Sequence, residues 1–108
     1  MAVKPAILFL GTLVEGRHEV YTCPDNKVAG FSILHAKGKA MAAFSLMVSV
    51  ERGVDEIELL PDGIDCKPGQ TTRDFNQKQI LDVGSKLIVT LGAGADAQVY
   101  LGGFEQDV

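Results

Sequence analysis

Between Phe44 and Glu51 the chain alternates without a break. Phe44, Leu46, Val48 and Val50 fall on one side; Ser45, Met47, Ser49 and Glu51 fall on the other. A period of two puts successive side chains on opposite faces of a strand, whereas an amphipathic helix repeats its apolar residues three and four apart. This stretch therefore specifies a β-strand with one face in a core. Alanine and methionine favour a helix over Lys39–Met47, but the Phe44-x-Leu46-x-Val48-x-Val50 pattern decides for a strand.

Shorter pieces with the same period flank it. Ala6–Val14 is an apolar run broken only by Gly11 and Thr12, suited to a strand buried on both faces or one passing between subunits. Glu15-Gly16-Arg17 reads as a turn. His18–Cys23 alternates again until Pro24 removes a ladder donor, and Pro24–Lys27 carries turn chemistry. Val28–Ala36 sets Phe31 and Ile33 on one face and Leu34 on the other. Arg52-Gly53 turns the chain into Val54–Leu60, with Ile57 and Leu59 on the dry face and Glu56 and Glu58 on the wet one. Pro61–Gly63 and Lys67–Gly69 bracket a loop. Thr71–Leu81 reads as a polar edge strand or an extended loop.

The last quarter reads as a hairpin. Lys86–Leu91 and Ala97–Glu105 are its strands, joined by Gly92-Ala93-Gly94-Ala95-Asp96, residues that tolerate a positive φ. No segment has the period of a long helix. Short strands with turn signals every eight to twelve residues predict an all-β fold. The expected architecture is one antiparallel β-sandwich domain of seven or eight strands over residues 1–108, with jelly-roll or Greek-key-like connections.

Composition narrows the function. The 108 residues carry ten basic and fourteen acidic side chains, a formal charge of −4, and the densest basic spot is Lys37-Gly38-Lys39. A nucleic-acid groove needs concentrated positive charge, so no nucleic-acid partner is expected. No run approaches the roughly 20 apolar residues of a membrane-spanning helix. Lys4 followed by Pro5–Leu10 is too short for a signal sequence and reads as a first strand. Cys23 and Cys66 do not form a disulfide framework. Both read as reduced thiols, a Cys23–Cys66 bridge being the alternative.

Catalytic chemistry finds little support. His18 and His35 are the imidazoles available, no serine sits in a nucleophile motif, and Cys23 lacks a base at a telling spacing. Asp55, Glu56, Glu58, Asp62 and Asp65 read as solvated carboxylates, without a calcium loop or a zinc pattern. The glycines at 92 and 94 precede a strand and not the helix that a dinucleotide cradle requires. No enzyme activity, cofactor or metal is expected. For carbohydrate binding there is no tryptophan, and Tyr21 and Tyr100 lie within strands. Gln70, Asn76, Gln77 and Gln79 are its polar candidates.

One series of motifs resembles a known group. Tyr21-Thr22-Cys23-Pro24 is followed by Lys27–Ile33, the strand at Phe44–Val50 and the turn at Leu59-Leu60-Pro61. Leu81-Asp82-Val83-Gly84-Ser85-Lys86-Leu87-Ile88-Val89 and Val99-Tyr100-Leu101-Gly102-Gly103-Phe104-Glu105 close it. From Glu19 to Glu105 this resembles small virion structural proteins of tailed bacteriophages, with Cys23 in place of the usual valine or alanine and Ser85 in place of aspartate. The resemblance implies a non-enzymatic β-sandwich present in several copies and located in the virion after assembly in the host cytoplasm. Its partners would be other virion proteins, capsid or tail subunits, and further copies of itself. The expected subunit contacts are Ile7, Leu8, Phe9 and Leu10, with Lys37, Lys39, Asp65 and Gln70 from the loops Lys37–Ala40 and Ile64–Gln70. The alternative is a receptor- or glycan-binding fibre-tip domain, and a third reading is a host-side soluble binding domain.

Overall fold

The computed structural model describes residues 3–39, 43–58, 64–67 and 71–107, the side chains of 3–4, 64–66 and 71–79 excepted. Among the described residues seven antiparallel strands make up one sheet: β1 Val3–Thr22, β2 Lys27–Gly38, β3 Phe44–Arg52, β4 Asp55–Glu58, β5 Ile64–Cys66, β6 Thr71–Leu81 and β7 Lys86–Asp107. The described residues contain no helix. The expected all-β antiparallel class is therefore the observed one.

The sheet is built on β1 and β7, which pair from Val3↔Gln106 to Thr22↔Lys86. On its other edge β7 takes two partners in succession. Its first half, through Leu91, pairs with β3, and its second half, from Ala97, pairs with β2. Beyond β3 lie β4 and β5, and beyond β2 lies β6. The upper half of the molecule is thus β4/β5–β3–β7–β1, and the lower half is β6–β2–β7–β1. The sheet curls so that the inner faces of both halves share one core, including Phe31, Leu34, Leu46, Val48, Leu87, Val89, Val99 and Leu101.

Gly92–Asp96 is not a hairpin turn. Both halves of β7 run antiparallel to the same strand β1, so the chain does not reverse there. Between Val14↔Asp96 and Gly16↔Leu91, β1 advances two residues while β7 uses five. The surplus forms a bulge, with Gly94 at φ 75° and Gly16 opposite at φ 125°. The Gly94 N–H donates to Glu15 Oε1 at 2.9 Å and pins it. Small residues with positive φ serve a bulge as well as a turn, and only the continuous pairing to β1 separates the two. Glu15-Gly16-Arg17 is likewise an irregularity within β1, not a turn between strands.

Bulges also change which residues face the core. The register of β2 slips between Phe31 and Ile33 against both neighbours, so Phe31 and Leu34 are both fully buried while Ile33 is half-buried. The expected pairing of Phe31 with Ile33 on one face is therefore corrected. In β3 the core-facing series holds: Phe44, Leu46 and Val48 are buried and Val50 packs at the core's margin, while Ser49 on the opposite face is also buried. Ile57 does not face a dry side, because all of β4 is exposed. Leu59 lies outside the described residues. Thr71–Leu81 is a strand, β6, paired with β2.

Candidate interaction surface

Each half of the sheet has an outer face, and the two differ in chemistry. On the upper half, Arg17 of β1 reaches Glu51 of β3 and Glu56 of β4, both at 2.5 Å. Lys86 pairs with Glu19 at 3.6 Å, and Ser49 Oγ donates to Glu56 at 3.3 Å. Beneath this layer Ile88 is fully buried without belonging to the central core. The hydrogen bond from Arg17 holds the Glu56 carboxyl below its usual range. This face is closed by its own side chains.

The lower half presents the opposite. Cross-strand pairing aligns Leu10, Tyr100 and His35 in one row across β1, β7 and β2. The next row is Thr12, Gln98 and Lys37, and on the other side Ile7, Gly102 and Ile33 form a third. Because Gly102 and Gly103 have no side chains, β7 forms a trough between its neighbours. A Cβ built on Gly102 would lie 2.9 Å from Tyr100 Cε1, so the Tyr100 ring lies over the bare backbone. His35 meets that ring edge-on, with centroids 5.7 Å apart and planes at 68°. Two cavities open here, about 370 Å³ around Leu10, Thr12, His35, Lys37, Gln98 and Tyr100, and about 240 Å³ around Pro5, Ile7, Ile33 and Tyr100.

The sequence-derived contact residues divide across this frame. Ile7 and Leu10 point outward, 59% and 67% exposed, and Val14 extends the row. Leu8 is buried, and Phe9 packs against the core. The slip between Ile7 and Phe9 explains the split, because one extra residue lets two outward positions stand three apart. Lys37 lines the larger cavity. Lys39 is exposed, and its N–H donates to Asp96 O at 2.7 Å. Asp65 lies in β5 opposite Ser45 of β3, and Gln70 is outside the described residues. The two expected contact loops do approach each other, since a Cβ on Gly38 would lie 2.9 Å from Lys67 O.

Along its other edge β1 has no partner strand among the described residues. Such an edge offers unpaired backbone donors and acceptors to a neighbour. Pro5 near its start is one common device for restraining that pairing. The sequence does not mark the groove around Tyr100 as a unit. Its one sequence signal is Gly102 two residues after Tyr100, the same-face spacing of a strand, with Gly103 following.

The remaining reactive groups are engaged elsewhere. His18 Nε2–H donates to Val14 O at 2.8 Å within its own strand. Cys23 is a free, buried thiol whose Sγ–H donates to Lys27 O at 3.2 Å, and burial pushes its pKa up. Tyr21 OH donates to Glu105 Oε2 at 2.6 Å, linking the upper part of β1 to the lower part of β7.

No family model matches the chain, and no curated protein matches it. Among solved structures, a chain from the structure of infectious bursal disease virus Gx strain is similar at 8% identity, with a TM-score of 0.42. The likeness covers 96% of this chain and 30% of that chain, so the protein spans less than a third of its length.

Proposed function

We propose that the chain is a structural module of a virus particle, of the tailed-bacteriophage kind, that joins neighbouring subunits on the capsid exterior or the tail. The observation that carries this reading is the contrast between the two outer faces. Ion pairs cover the outer face around Arg17, whereas the outer face of the lower half leaves Ile7, Leu10 and Val14 in solvent beside a strand edge that has no partner among the described residues. Large apolar side chains exposed along one strand face mark a candidate contact region. The motif resemblance supplies the virion setting, and the contact surface supplies the role.

Sedimentation of the purified chain and rebinding to particles that lack it form the test. The reading predicts self-association or particle binding that Leu10→Lys and Ile7→Asp abolish while leaving the far-UV spectrum unchanged. A strict monomer that does not bind such particles would overturn it.

A further inference from the structure

The groove around Tyr100 carries polar chemistry that a plain apolar subunit contact does not require. We propose that it is a saccharide-binding site, selective for an acidic sugar that bears a carboxylate beside its hydroxyls. Tyr100 supplies the platform. Its ring rests on Gly102 and is braced edge-on by His35, so stacking a sugar's C–H face against it orders little that is not already ordered. A ring with an apolar body and a hydroxyl tip suits a ligand of mixed character.

The rim supplies the hydrogen bonds. Thr12 has a hydroxyl that donates and accepts, Gln98 has an amide that does both, and Lys37 is a pure donor. All three stand in one cross-strand row beside the ring, on strands and not on loops, which fixes their spacing. The combined space of about 370 Å³ and the adjoining 240 Å³ is in the range of small-molecule sites.

Charge sets the preference among sugars. The chain carries a formal charge of −4, yet among the described residues no carboxylate lines the larger cavity, and Lys37 does. That local reversal of sign favours an anionic group at the lysine end of the groove. A single lysine beside an aromatic is too little positive charge for a nucleic-acid backbone.

The groove shares Leu10 and Ile7 with the proposed contact face, but its test reads ligand binding and not association, so failure of one reading is distinguishable from failure of the other. Amide chemical shifts of the protein are followed while N-acetylneuraminic acid, glucuronic acid, galactose and glucose are titrated separately. The acidic sugars are expected to shift the resonances of Thr12, Lys37, Gln98 and Tyr100 with affinity of roughly millimolar order, and the neutral sugars more weakly. Lys37→Ala should weaken the acidic sugars about threefold and leave the neutral ones unchanged. Tyr100→Ala should weaken all of them about tenfold. Gln98→Ala, at an exposed position, tests the site without disturbing the Gly102 cover. Perturbations absent from these residues, neutral sugars binding as well as acidic ones, or a Lys37→Ala variant that keeps the acidic preference would each overturn the proposal.

Discussion

Tyr21 and Glu105 show how much one hydrogen bond holds in a sheet that curls on itself. Burial, then the bond to Glu105, pushes the Tyr21 hydroxyl above the ordinary phenol range. A raised folded-state value means that the stabilisation is complete below about pH 10 and is lost as pH rises through the folded value. Tyr21→Phe should therefore flatten the alkaline limb of stability against pH and cost about 1–2 kcal/mol at neutral pH, both read from urea unfolding. Glu56 behaves with the opposite sign. Arg17 holds its carboxyl low, so the stabilisation is present above roughly pH 4.3 and fades as pH falls through the folded value. Glu56→Gln should flatten the acid limb, with a small amplitude because the pair is exposed to solvent.

Among the elements, the bulge in β7 decides the architecture. It lets one strand serve β3 and then β2 without reversing direction. Gly94 is required there for its φ alone, since a Cβ would meet nothing within 4 Å. Gly94→Ala should cost about 1–2 kcal/mol in chemical denaturation. Gly103 is required for the opposite reason. A Cβ there would lie 1.7 Å from Gly30 O, which forces β2 and β7 apart. Gly103→Ala should cost about 3 kcal/mol or more, and amide exchange should show the loss concentrated along the β2–β7 ladder.

For the molecule as a whole, the core and the proposed contact face are separable. Leu34 is fully buried at the centre of the lower half. Leu34→Ala should cost about 2–5 kcal/mol through lost burial and the cavity left behind. Leu10, two-thirds exposed on the outer face, should tolerate lysine within about 0.5 kcal/mol in the monomer, while losing the association read by sedimentation. Parallel thermal melts and sedimentation runs on the two variants distinguish folding from assembly.

The period-two pattern determined by itself that this chain is all-β, and in β3 it determined the buried face residue by residue. Alternation is local, and burying one face of a strand rewards it wherever the strand ends up. Glycine and alanine at 92–95 and glycine at 16 announced a departure from regular strand, but the same residues satisfy a turn and a bulge. Only the shared ladder with β1 chose between them. The proposed contact face was half legible for the same reason. The run Ile7–Leu10 signalled apolar burial somewhere, whereas the slip at Leu8 decided that Ile7 and Leu10 face out and Leu8 and Phe9 face in. Tyr100, His35, Gln98 and Lys37 lie on two strands some sixty residues apart in sequence, so nothing local records their meeting. Strand pairing brought them together, and a register is a property of two strands at once.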